Sequence, residues 1–188
     1  MELIVDEDHF RRIVVEGICA AKVSVDIMTA DFKAMLVPQG AGRARSIVDH
    51  FRKLAEKGVE IRLLHAGVPS SAALLELRRE LPGRLTIRRC PRLHSKAVIL
   101  DASRVYLGSA NLTGAGLGAK GDTRRNFEMG VLTAKPEFVD RVMAEFNDLW
   151  EGRHCKGCGR RDVCPVPLEE PELTTLKLPR VVRRRRAC

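Results

Sequence analysis

The chain has 188 residues, 45% of them hydrophobic and 30% charged, which suits one well-cored α/β domain with a short appendage and excludes a disordered polymer. No apolar run approaches the ~20 residues needed to cross a bilayer, and the acidic start, Glu2 to Asp8, lacks the pattern of a secretory leader, so a cytoplasmic setting without stable membrane insertion is expected. A net charge of +9 favours polyanionic partners, while an aromatic content of 4% argues against a stacking platform for single strands.

In chain order, Asp8 caps a helix expected over 9–21, with Ile13, Val14, Ile18 and Cys19 on its apolar side. Residues 22–29 alternate Val23, Val25 and Ile27 with smaller or polar groups and read as a strand. The stretch 39–43 is a glycine loop. A helix over 44–57 ends at Gly58, and the next strand covers 59–64. A further helix is expected over 70–80, stopped by Leu81-Pro82-Gly83. Strands follow at 85–89, 94–100, 105–108 and 126–133, and Pro136 opens a last helix running to Trp150. Alternating strands and helices in the first half imply an α/β sheet with helices on its faces. Near Gly152 the composition turns to Cys, Arg and Pro, so the chain divides into a domain over 1–152 and a cysteine-containing segment with a basic tail over 153–188.

The segment from His94 to Asn111 carries the chemistry. His94 and Lys96 are two apart on an expected strand and so share a face. An imidazole beside an ammonium suits an anion, one group attacking and the other holding charge. Gly108-Ser109-Ala110-Asn111 then ends the following strand and offers a hydroxyl and an amide to phosphate oxygens.

The spacing His-x-Lys, four residues, Asp, six residues, Gly-Ser-x-Asn resembles the active-site signature of the phospholipase D superfamily at every defining position. The resemblance extends over about 22–150 and is strongest over 93–131. It implies a mixed α/β sheet flanked by helices, and a phosphodiesterase that forms a covalent phosphohistidine at His94. Lys96, Ser109 and Asn111 would stabilise the developing charge, Asp101 would support the site, and Glu128, in Asn126-Phe127-Glu128, would orient the imidazole. No cofactor is implied for the reaction itself. That chemistry needs two histidines, and none of His9, His50, His65 or His154 heads a second complete signature. A chain with one signature resembles the small bacterial endonucleases of the superfamily, which build the site at a two-fold axis, so a homodimer is expected. The loop over 112–125, with Lys120, Arg124 and Arg125, is a candidate contact for a nucleic-acid backbone.

Cys155, Cys158 and Cys164 stand at C-x2-C-x5-C spacing, which in a reducing compartment favours metal over disulfide. The triplet resembles the C-terminal iron–sulfur ligands of RecB-type nucleases, where a distant cysteine completes a structural [4Fe–4S] cluster. Cys19 is taken here as that fourth ligand, with Cys90, Cys188 and His154 as alternatives; zinc suits the same donors. The leading functional expectation is a metal-independent nuclease acting on DNA or RNA. A phospholipase D or phosphatidyltransferase acting on lipids, and a non-catalytic nucleic-acid-binding module, are the alternatives.

Overall fold

The computed structural model describes residues 1–33, 35–38, 43–67 and 83–164; the helix expected over 70–80, most of the 39–43 loop, the Arg-rich tail and Cys188 lie outside them. Seven strands form one mixed sheet: β1 (Glu2–Val5), β2 (Ser24–Thr29), β5 (Glu60–His65), β6 (Leu85–Arg89), β7 (Ala97–Leu100), β8 (Arg104–Gly108) and β9 (Met129–Thr133). Their spatial order is β1-β9-β8-β7-β2-β5-β6. β2, β5 and β6 run parallel, whereas β7, β8, β9 and β1 add antiparallel neighbours on the other side of β2. A small hairpin of β3 (Leu36–Pro38) and β4 (Ala44–Ser46) stands apart from this sheet.

The strand alternation sorts apolar side chains onto two faces. Val25, Ile27, Ile61, Leu63, Val98, Leu100 and Tyr106 point to one core, which also holds the first helical turns and α1 (Ile47–Glu56). Met28, Leu64, Ala97, Ile99 and Val105 point to the other, covered by α2 (Pro136–Trp150) through Val139, Phe146 and Trp150. Arg62 fastens α2 to the sheet. Its guanidinium forks onto both oxygens of buried Asp26 at 2.7 and 2.9 Å and lies over the Phe146 and Trp150 rings at 4.7 and 5.6 Å.

α2 keeps its expected limits, with Pro136 in its first turn. α1 starts three residues later than expected because Ala44–Ser46 pair as β4, and the Ser46 hydroxyl caps the helix by accepting from the Val48 N–H at 3.2 Å. Gly58 follows α1 with φ +95°, the left-handed conformation that the C-terminal glycine permits.

The first helix departs from its expected form. It is a π-helical segment, His9–Val15, followed by a separate 3₁₀ turn, Ile18–Ala20, and Asp8 makes no side-chain cap. The break falls at Gly17, where a Cβ would meet the Ile13 carbonyl oxygen at 2.4 Å and Leu100 at 2.9 Å. Close packing of this turn on β7 overrides the amphipathic period. Strand β1 has no counterpart in the expected elements. Of its residues only Ile4 is buried, so a four-residue edge strand leaves too little alternation to read.

Candidate active site and the cysteine cavity

Strand pairing brings His94, Lys96, Ser109 and Asn111 of the signature to one end of β7, β8 and β9. The strand expected from His94 begins at Ala97, and His94 to Lys96 form the irregular approach to it. The Lys96 carbonyl still accepts from the Gly108 N–H at 3.1 Å, which sets Lys96 opposite the Gly-Ser-x-Asn turn. The Lys96 ammonium donates to the His94 carbonyl at 2.8 Å and lies 3.4 Å from both nitrogens of the exposed His94 ring.

Ser109 and Glu128 face one another across β8 and β9. The Ser109 hydroxyl donates to one Glu128 carboxylate oxygen and accepts from the Met129 N–H at 3.1 Å; the other oxygen receives the Asn126 amide at 3.1 Å. Glu128 is thus engaged by Ser109 and Asn126, and the expected contact with the His94 imidazole is not made within this chain. Its backbone is held from below: its N–H donates to the Asp6 carboxylate at 3.0 Å, and its carbonyl accepts from the Asp6 N–H at 2.9 Å.

Asn111 turns its side-chain oxygen inward, where it accepts from the Asp31 N–H at 3.0 Å. Its amide N–H groups meet no acceptor among the described residues. A cavity of about 260 Å³ opens there, lined by Asn111, Asn126, Thr113, Lys33 and Lys120 among others. Two of the three basic loop candidates stay exposed, Lys120 and Arg124. Arg125 does not: it is held against Glu7 at 2.9 Å and Asp122 at 2.7 Å, so its charge is spent within the chain.

A support beneath the turn escaped the sequence reading. The buried Tyr106 hydroxyl donates to Nε2 of buried His9 at 2.8 Å, while His9 Nδ1 donates to the Asp6 carbonyl at 2.9 Å. Burial pushes the Tyr106 phenol up to about 12 and the His9 imidazole below its usual range. The Tyr106 ring passes over Gly108 and Gly130, where a Cβ would approach its atoms to 2.3 and 2.4 Å. Glycine at both positions lets the aromatic lie flat beneath Ser109.

Asp101 corrects the sequence reading. It lies at the far end of β7, past Leu100, separated from His94 by the length of the strand. Its carboxylate accepts from the Lys22, Val23 and Ser24 N–H groups at 2.9, 2.7 and 3.1 Å, from a backbone with φ +51°. Desolvation opposes its charge, yet the three N–H donors bring its pKa below the usual carboxylate value. This residue fastens β2 to the β7–β8 turn.

Cys19 is also displaced from the role expected of it. It packs half-buried in the core on the α1 side, with its sulfur 3.7 Å from His50 Nδ1, and burial pushes its thiol up to about 11. The triplet sits on the opposite side of the sheet, where Cys155 and Cys90 both pack against the α2 core. One cavity of about 300 Å³ is lined by Cys90, Cys155, Cys158 and Cys164, and its wall continues through Leu93 to His94 and Ser95. Cys90 is fixed at the end of β6, its N–H donating to the His65 carbonyl at 2.8 Å. Among the described residues no three His, Cys, Asp or Glu side chains are gathered as the ligand set of a metal ion.

A family model described as cardiolipin synthase, PLD-like domain, matches residues 14–150. The chain belongs to the phospholipase D-like family. No curated protein matches it. Among solved structures, NucT from Helicobacter pylori aligns with a TM-score of 0.59 at 17% identity, covering 80% of this chain and 94% of that one. Nuc from Salmonella typhimurium, a phospholipase D family member, aligns with a TM-score of 0.60 at 20% identity, covering 80% and 93%. TrmBL2, an archaeal chromatin protein with a novel mode of DNA binding, aligns at 0.51 and 16% identity, covering 80% of this chain and 53% of that one. These likenesses establish the phospholipase D-like fold. The family match stops at residue 150, so the cysteine triplet lies beyond it.

Proposed function

We propose that this phospholipase D-like protein is a metal-independent nuclease whose reaction centre is shared by two copies of the chain. The observation that carries this reading is the convergence of His94, Lys96, Ser109 and Asn111 at one end of β7 and β8, with one histidine among them. A phosphohistidine route needs two. His9 and His65 are buried and hydrogen-bonded elsewhere, His50 lies on the α1 side, and His154, which lines the cysteine cavity bordered by His94, falls beyond the family match. In the first step, a ring nitrogen of His94 bonds to phosphorus as the P–O bond to the leaving group breaks, and the leaving oxygen takes a proton from the His94 of the second copy. In the second step, that imidazole removes a proton from water, the water oxygen bonds to phosphorus, and the P–N bond breaks. Lys96 and the Asn111 N–H groups oppose the charge that builds on the phosphoryl oxygens.

An uncovered apolar strip supports the second copy. α2 leaves part of its face of the sheet bare, and Leu3, Val5, Leu107 and Met129 are exposed there, with Phe127 92% exposed beside Glu128. The register places Val5 opposite Met129, and Leu3 and Leu107 on either side of Val131, so the strip is continuous and ends at Ser109. Apolar surface bordering half of a site suits a self-complementary interface. The net charge of +9 suits a polyanion such as nucleic acid, and Lys120 stands beside Asn111 together with Lys33, which pairs with Asp31 at 2.9 Å. Among the described residues no helix is long and apolar enough to cross a membrane.

The test is cleavage of single- and double-stranded DNA and RNA in EDTA, with phospholipid vesicles in parallel. Nucleic-acid cleavage that persists in EDTA and vanishes in His94→Asn is expected. Vesicle hydrolysis alone would transfer the activity to lipids, and tight nucleic-acid binding without turnover would make the protein a binding module. A fully active monomer would remove the shared site.

A further inference from the structure

We infer that Cys90, Cys155, Cys158 and Cys164 bind a [4Fe–4S] cluster that fastens the chain after α2 to the segment leading into His94. Three of the sulfurs come from the single stretch Cys155 to Cys164 and the fourth, Cys90, from far upstream, yet all line one cavity of about 300 Å³. Sequence spacing alone points to Cys19 as readily as to Cys90. The sheet decides between them, because Cys19 packs on the α1 face and Cys90 on the α2 face with Cys155.

The shape of the site favours a cluster over a single ion. Tetrahedral zinc draws four sulfurs to about 2.3 Å from one centre. All four cysteines line one cavity of about 300 Å³, more room than a single ion occupies. A four-iron cube takes one thiolate at each iron and fills such a space. Four thiolates on a [4Fe–4S]2+ core leave a net charge of −2, and Arg92 and Arg160 stand in the same wall. Arg92 already donates to the Cys158 sulfur at 3.6 Å. Leu93, Leu149 and Pro91 supply an apolar lining, the surroundings that keep water from a cluster. Ligation moves no electrons: a cluster preformed on carrier thiolates arrives, each cysteine sulfur bonds one iron as that iron's bond to a carrier thiolate breaks, and each cysteine proton passes to the released thiolate or to solvent.

Because Cys90 is four residues from His94, the cluster would hold the approach to the proposed nucleophile from outside the family domain. That consequence rests on the nuclease reading, but the cluster itself does not.

Full-length protein purified without oxygen is expected to be brown, with a broad band near ~400 nm and about four irons and four sulfides per chain. Cys90→Ser and Cys158→Ser should each lose most of the iron while keeping the wild-type circular dichroism. Cys19→Ser should keep it. Loss of the cluster should also open Arg153, Lys156 and Arg160 to trypsin. Colourless wild-type protein with stoichiometric zinc, or with no metal, overturns the proposal, as does Cys19→Ser losing iron where Cys90→Ser retains it. A brown protein that cuts no nucleic acid would sink the nuclease reading and leave this one standing.

Discussion

The two ends of β7 carry two halves of one sequence signature and have opposite physical characters. At the far end, Asp101 is saturated, with three backbone N–H groups on one carboxylate oxygen and the chain locked around it. At the near end, His94 is exposed, the Asn111 side-chain N–H groups meet no acceptor among the described residues, and Glu128 sits in a small polar network. Six defining residues at fixed spacing therefore do not make six catalytic groups. One end spends its polar groups on the fold; the other holds them ready.

The largest effect expected from breaking this contrast is at the open end. His94→Asn should lower cleavage by at least about a thousandfold, as loss of a covalent nucleophile does, with no change in thermal unfolding. His154→Asn is the companion variant, because His154 lines the cysteine cavity that His94 borders. It should retain activity, and an equal loss would place both histidines in one chain and dispense with the dimer. At the closed end the effects should reverse. Asp101→Ala strands three N–H groups and should cost about 2 kcal/mol in denaturant unfolding, while turnover per folded molecule stays near wild type. A loss of turnover in fully folded Asp101→Ala would erase the distinction between the ends.

Tyr106→Phe lies between the extremes, since it takes a donor from buried His9 directly beneath the Ser109 turn. About 1–3 kcal/mol of stability should be lost, with a lesser effect on activity. The smallest expected effect is on pH dependence. Burial lowers the pKa of His9 and of His65 in the folded chain, so between those values and the unfolded value of about 6.5 the unfolded chain binds more protons. Their contribution is complete above about pH 6.5 and declines as pH falls through that range. Tm should therefore drop by a few degrees (about 2–4 °C) between pH 7.5 and 5.5; a rise over that interval would contradict the sign.

The sequence was most informative where chemistry constrains spacing and least where packing decides. The signature located the open end, and Pro136 and the apolar period located α2, because these depend on neighbours in the chain. Which face of the sheet a cysteine occupies depends on strand order, so Cys19 and Cys90 looked equivalent until β6 and the end of α2 were seen to meet. The Tyr106–His9–Asp6 chain was hidden for the same reason. Its members are 97 and 3 residues apart, and only the pairing of β1 with β9 closes the loop between them. The break at Gly17 reflects contact with Leu100, which no local pattern reveals.

The pairing of β1 with β9 also has a consequence in time. Glu2 lies opposite Leu132, so β1 waits for β9, the last strand of this sheet in chain order, before it gains a neighbour. Long-range pairing of this kind forms late and slowly. Asp6, which follows β1, holds Glu128 by both its N–H and its carboxylate. A nascent chain can therefore build β2, α1 and β5 early, while the Ser109–Glu128 corner gains its Asp6 support only after β9 has been made. Any reactive half-site is thereby delayed until the domain is almost complete.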